Sequence, residues 1–400
     1  MKFFSSTAIT ALLLSVVKGD DSFQAEDAHR NVAKAINSFS TSLYKVLSEE
    51  SSGNMVVSPF SVETVLAMVL VGLRGNTAQH VSSALHLPDS RERTEHGFKA
   101  LFASLQASEN VTLEMANKIY VQEGFKIKDE FRQSAENNFQ SSVELVDFSN
   151  KTEAVRNIIN QWVEQKTNQK IQELIVEGNL NPNTVVMLLN AMYFKGQWST
   201  EFNKTLTSKE NFHLDTKSTR QVQMMHHMNR FRYGKFDDLQ ATVLKLPYQG
   251  EKISMLIILP MEVEGLKNLE SKITSLNITY ILNSLLYKQV IVSLPRFKIE
   301  STLALEDSLQ KLGLSEILRP GADFSGMTDD AIYVNKVLQK AFIEVNEEGT
   351  EAASATAAGG IAISLPPPPK VFKADHPFMF MIVDEPADTI LFMGRVLQPQ

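Results

Sequence analysis

The chain has 400 residues, 43% of them hydrophobic and 21% charged, with a formal net charge of −7. Such a composition supports a sizeable core rather than disorder, and its acidic balance argues against nucleic acid or an anionic membrane as the main partner. There is no cysteine, which excludes disulfides, thiol catalysis and cysteine-based zinc sites; no metal or other cofactor is expected.

The N-terminus, MKFFSSTAITALLLSVVKG, has a basic start at Lys2, an apolar run over Ala8–Val17 and a small residue at Gly19. These features predict a signal peptide over residues 1–19, and hence secretion; the alternative is a buried N-terminal helix. Removing residues 1–19 takes Lys2 and Lys18 away and moves the formal charge from −7 to −9. The apolar run is too short to span a bilayer. The closing RVLQPQ carries no retention or lipidation motif. Four sequons follow the leader, at Asn110, Asn150, Asn203 and Asn277, each a candidate glycosylation site on the surface.

Helices dominate the first half. Val32, Ile36, Phe39, Leu43 and Val46 recur at three and four within Asp27–Glu50, predicting one apolar stripe. Ser61–Leu73 is densely apolar and reads as a buried helix, and Thr152–Ile175 places Val155, Ile158, Ile159, Trp162 and Val163 on one face. Strands dominate the second half. Thr184–Phe194 is apolar on both faces, as in a central strand. Thr242–Pro247, Ile253–Pro260, Gln289–Glu300, Met379–Val383 and Ile390–Val396 also read as strands, with a short helix over Leu303–Leu312. No linker or repeat interrupts residues 20–400, so one large α+β domain is expected.

Catalytic chemistry is missing. His226 and His227 are adjacent, so in a strand they face opposite ways and chelate poorly. Gly72–Thr77 is neither a P-loop nor a dinucleotide fingerprint. There is no nucleophile elbow and no HExxH, so the chain reads as something other than an enzyme.

One stretch is unusual. Of the fifteen residues Gly349–Ile363, six are Ala, three Gly, two Thr, two Ile, one Ser and one Glu, and Pro366–Pro369 follow soon after. In extended form one face, from Thr350 to Ala362, holds only small uncharged residues; the single charge, Glu351, lies on the other. Such a segment suits a strand able to slot between two existing strands, and the prolines would stop it.

KAFIEVNEEGTEAASATA resembles the hinge of the serpin reactive-centre loop. Asn54–Val62, Asn117–Tyr120, Asn190–Trp198, Leu246–Tyr248, Leu294–Phe297, Asp375–Phe378 and Phe392–Val396 resemble other serpin blocks in the same order. The resemblance covers residues 25–398. It implies three β-sheets with about nine helices, an exposed reactive-centre loop over about 347–369, and inhibition of a serine protease as a suicide substrate. The hinge is then Glu347, Glu348, Gly349, Thr350, Glu351, Ala352, Ala353, Ser354, Ala355 and Thr356. Counting fourteen residues past Gly349 places the reactive bond at Ile363–Ser364. No Lys or Arg lies between Ala341 and Pro369, so an elastase-like target is expected rather than a trypsin-like one. Ser58, Ser61, Asn190 and Gln339 match the region where the central sheet opens. Gln339 stands where many serpins have His, which puts His-linked pH control of opening in doubt. Asp89–Lys99 mixes Arg91, Arg93 and Lys99 with Asp89, Glu92 and Glu95, which argues against heparin activation. A monomer is expected. The alternative within the family is a non-inhibitory binding, carrier or chaperone protein.

Overall fold

Among the described residues, two hydrogen-bonded β-sheets organise the chain, with helices packed around them. The computed structural model describes residues 6–106, 111–348 and 368–399, with side chains from residue 28 onward. The reactive-bond residues Ile363 and Ser364, the hinge residues Gly349–Thr356 and the sequon at Asn110 lie outside the described residues.

In chain order the first elements are α1 (Ser6–Glu50), β1 (Met55–Val57), α2 (Pro59–Gly72), α3 (Gly75–Ala84) and α4 (Arg91–Gln106). Next come β2 (Val111–Gln122), α5 (Asp129–Phe139), β3 (Ser142–Val146), α6 (Thr152–Lys166) and β4 (Val186–Gly196). They are followed by β5 (Ser208–His213), β6 (Thr219–Phe236), β7 (Ala241–Pro247), β8 (Ile253–Pro260), α7 (Leu266–Ser271) and α8 (Ile278–Ser284). The chain then forms β9 (Leu286–Pro295), β10 (Phe297–Ala304), α9 (Glu306–Lys311), β11 (Val334–Val345), β12 (Lys370–Lys373), β13 (Phe378–Asp384) and β14 (Thr389–Val396). Nine α-helices thus occur among the described residues.

The smaller sheet has five strands in the order β10-β11-β4-β2-β3. The larger follows β1-β14-β13-β8-β7-β6-β9-β12, with β5 on β6, making nine strands. Two of the three expected sheets are therefore joined into one hydrogen-bonded path. The cause is β6, eighteen residues long: its first part pairs with β5 through Met224, and its last part with β7 from Arg232.

The continuous apolar runs become fully buried strands. Every residue of β8, β13 and β14 is buried, and only Lys195 of β4 is not. α2 is buried along its whole length because it lies between the sheets, as its lack of a polar stripe predicts. One core cluster reaches from Val32 in α1 to Val396 in β14.

Three sequence expectations change. Gln289–Glu300 is two strands, β9 and β10, in different sheets, with Arg296 between them. The helix expected over Leu303–Leu312 begins only at Glu306, because Thr302, Leu303 and Ala304 still pair with β11. β2 and β3 stand where the sequence reading assigned no strand.

Candidate functional site

The site is built where β11 meets β4. These strands run parallel, with pairs from Val334↔Val186 to Phe342↔Tyr193. Beyond Phe342 the pair separates. Ile343, Glu344 and Val345 still bond β10, while Phe194, Lys195 and Gly196 still bond β2. The two strands at the centre of the sheet are thus unzipped from each other at the end where the chain leaves β11.

A buried polar row holds the same strands together lower down. Gln339 sits opposite Asn190, and Asn190 opposite Asn117, so one row crosses β11, β4 and β2. Gln339 Oε1 accepts from Ser58 N at 2.9 Å, while its Nε2 donates to Ser58 O at 2.8 Å and to Asn190 Oδ1 at 2.6 Å. Ser61 Oγ donates to Asn117 Oδ1 at 2.9 Å, and Asn190 Nδ2 donates to both Ser61 Oγ and Asn117 Oδ1. All five side chains are buried.

The row is anchored by a helix start. Ser58 caps α2, its Oγ accepting from Ser61 N at 3.3 Å, with Pro59 in the first turn. The same Oγ donates to Leu391 O of β14 at 2.7 Å. The α2 N-terminus therefore ties the five-stranded sheet to the nine-stranded one. The structure brings together all four sheet-opening residues expected from sequence, and adds Asn117, which was visible only as part of a family-like block.

Above the row, the residues leaving β11 are pinned from two directions. Trp198 Nε1 donates to Asn346 O at 3.0 Å, Trp198 N to Glu348 O at 3.0 Å, and Phe202 N to Glu347 O at 2.8 Å. Trp198 is held for this by stacking on Tyr248 at 4.4 Å. From the other side, Arg296 Nε donates to Glu347 Oε1 at 2.8 Å and its Nη2 at 2.5 Å. Thr207 also donates to Glu347, and Lys204 pairs with Glu348. Burial pushes the Glu347 carboxyl up, but the hydrogen bonds from Arg296 and Thr207 outweigh it and hold it below the ordinary range. Lys204, Arg296 and Lys298 line a cleft of about 350 Å³ beside Glu347 and Glu348. Arg296, Thr207 and Lys204 were not singled out by sequence. Their only signal was Arg296 inside the Leu294–Phe297 block, since their partners lie far along the chain.

The remaining sequence candidates separate. His226 bonds Ser293 at 3.1 Å and Glu210 at 2.7 Å, whereas His227 packs between Phe202 and Phe231, where burial lowers its pKa. The adjacent imidazoles do face apart. Asn150, Asn203 and Asn277 are all exposed.

A profile described as Serpin (serine protease inhibitor) matches residues 34–399. The chain is 37% identical to human Serpin B3, covering 92% of this chain and all of that protein. It is 39% identical to human Leukocyte elastase inhibitor, covering 92% of this chain and 99% of that one. Its fold superposes on the crystal structure of Serpin48 of the insect Tenebrio molitor with a TM-score of 0.84, at 38% identity, over 92% of this chain and 98% of that one. These matches correct the ground on which the chain was read as something other than an enzyme: that reading rested on missing catalytic motifs, whereas the matching family is described as serine protease inhibitors. Matched along nearly its whole length, the chain belongs to the serpin family, the serine protease inhibitors.

Proposed function

We propose that the protein is a secreted, monomeric inhibitor that acts as a suicide substrate. Cleavage at Ile363–Ser364 would free the loop, which would insert between β11 and β4 and trap the protease as an acyl-enzyme. The observation that carries this reading is the unzipped end of the β11–β4 pair, directly where the chain leaves β11 for the hinge. A loop that turned back from β11 would run antiparallel to both parallel strands and complete a ladder on each side. Fifteen extended residues would span about 50 Å. A dozen or so new backbone hydrogen bonds, at roughly 1 kcal/mol net each, would drive the movement.

The absence of any cation from Ala341 to Pro369 points to an apolar-pocket, elastase-like protease. A chain 39% identical is named Leukocyte elastase inhibitor, which favours the same class. Heparin activation has little to support it, since Arg91 is already engaged by Glu95 and Glu130, each at 3.0 Å. Secretion rests on the leader-like residues 1–19. For glycosylation we favour Asn203 and Asn277, whose Oδ1 atoms accept local backbone N–H groups. At Asn150 the amide nitrogen itself donates to Asp147, a bond a glycan would have to replace.

Incubation with a panel of elastase-like and trypsin-like proteases tests the reading. An SDS-resistant complex with the first group supports it. Cleavage without any complex would favour a non-inhibitory role, and a complex with trypsin-like enzymes alone would overturn the target class.

A further inference from the structure

Away from the β11–β4 gap, α1 and the start of α8 border a groove of about 690 Å³. That lies in the size range of pockets that bury a drug-sized ligand. Ser38 and Ser42 line it from α1, four residues apart and so on one stripe, while Val32, Ile36, Phe39 and Leu43 turn into the core. Thr274 and Thr279 line it from the α8 side, and buried Ile278 and Ile390 give it apolar surface. The α1 wall is fixed in place. Asn37 Nδ2 donates to Asp388 O at 2.7 Å and its Oδ1 accepts from Ile390 N at 2.9 Å, tying α1 to β14. Ser42 Oγ donates to Ser38 O at 2.9 Å, which leaves its lone pairs to accept. Hydroxyls around an apolar surface match a pyranose ring, which carries hydroxyls at its edge and C–H groups on its face.

A saccharide acceptor stands in the same lining. Asn277 borders the groove, and its sequon is completed by Thr279; both are exposed. As the cap of α8, Asn277 accepts from Tyr280 N through Oδ1 at 3.0 Å. The bond orients the amide through its oxygen, whereas a glycan is attached through Nδ2.

We propose that Asn277 is glycosylated and that the first two sugars of its glycan fold back into this groove, against Ser38, Ser42, Thr274 and Thr279. The inference rests on the reading of the chain as secreted, because only then does it meet the activated, pyrophosphate-linked oligosaccharide donor. Attachment forms a bond from Asn277 Nδ2 to the anomeric carbon of the first sugar. The donor's carrier pyrophosphate leaves, and the amide loses one proton. Tethering holds the sugars at high effective concentration, so contacts too weak to capture a free saccharide are enough to seat them. The seated glycan would cover the apolar surface and bridge α1 to α8. Asn203, which caps the three-residue turn Lys204–Leu206, supplies the reference glycan in the same molecule.

The experiment uses the full chain, leader included, expressed in cells that attach N-glycans. Peptide mass spectrometry reads occupancy at each sequon, and release by an N-glycosidase is timed site by site on the native protein. The expected result is an occupied Asn277 whose glycan is released at least about tenfold more slowly than that of Asn203, with equal rates after denaturation. S38W and T274W each fill the groove from a different wall. Either one that folds should bring release at Asn277 to within about twofold of release at Asn203. N277Q empties the groove and should bind more of an anilinonaphthalenesulfonate dye than the glycosylated wild type. Equal native release at the two sites, or a bare Asn277 beside other occupied sequons, would overturn the proposal and leave secretion intact. A chain that stays in the cells with every sequon bare would remove the secretion reading and this inference together. Dye binding as strong in glycosylated wild type as in N277Q would leave the groove open to a free apolar ligand and also overturn the proposal.

Discussion

Arg296 and Glu347 form a two-nitrogen clamp, with Arg296 Nε and Nη2 both donating to one oxygen of a carboxylate that is only 2% exposed. Arg296 occupies the single position between β9 and β10, and Glu347 lies two residues past β11. The clamp therefore joins the strand at the edge of the five-stranded sheet to the start of the hinge. Replacing Arg296 by Ala leaves a buried carboxylate without its cation. The guanidinium is 42% exposed, so the expected loss is about 2 kcal/mol rather than the full cost of a deeply buried pair. The R296A and E347A variants should also convert faster on mild heating to a loop-inserted or polymeric form, read as a slower-running band on native gels. Unchanged conversion would show that Trp198 and Phe202 hold the hinge without help.

The same clamp sets an acid limit. The folded-state Glu347 pKa lies below the ordinary 4.5, so its stabilisation is complete above that value and is lost as pH falls through the folded value. Hinge release, followed by limited proteolysis in the loop with the E347Q variant as reference, should rise below about pH 4.5 in wild type. In E347Q it should be high and flat across the same range.

Gln339 makes three hydrogen bonds from a fully buried position. Gln339→Ala would leave Ser58 N and Asn190 Oδ1 without partners, while Ser58 O keeps Val62 N at 3.2 Å, an expected cost of about 3 kcal/mol in a denaturant melt. Gln has no proton to gain near neutrality. The rate of loop insertion in wild type should therefore be flat between pH 6 and pH 8, whereas Q339H should acquire a pH dependence near the imidazole range, about 6.5. Insertion that is already pH-dependent in wild type would place the sensor elsewhere.

Asp384 closes β13 with no exposed surface, and burial raises its pKa from 3.8 to about 6. Between those values the folded chain holds a proton that the unfolded chain releases, so this group's contribution to stability falls as pH rises from 4 to 6. A shift of about two units corresponds to roughly 3 kcal/mol of destabilisation at pH 7. D384N should recover much of that at pH 7 and show no advantage at pH 4. Equal stability of the two proteins at pH 7 would contradict the assignment.

How much of this was legible follows from where the polar residues sit. β4, β7, β8, β13 and β14 were readable because apolar residues dominate them, even where Asn190, Lys245 or Ser254 interrupts singly, and such runs leave a chain few alternatives to a buried strand. β2 was not, because Asn117 and Lys118 interrupt its pattern at buried positions. Asn117 is satisfied by Ser61 and Asn190, and Lys118 by Glu144 at 2.7 Å and the Trp162 ring at 4.3 Å. These partners come from other elements, so no local period announces them. Arg296 was hidden for a related reason. The alternation of Gln289–Glu300 continues through it, and only the tertiary structure sends β9 and β10 to different sheets. Ser58, Ser61, Asn190 and Gln339 were found through family resemblance; their apolar sequence surroundings alone would have suggested satisfied core polar groups, which they also are.

The central claim is that cleavage in the loop drives insertion between β11 and β4. The most direct test is to react the chain with an elastase-like protease, resolve the products on a denaturing gel, and weigh the released C-terminal fragment. The account predicts an SDS-resistant protease complex and a fragment beginning at Ser364. Complete cleavage with no complex, or a complex whose fragment begins outside the loop, would contradict it.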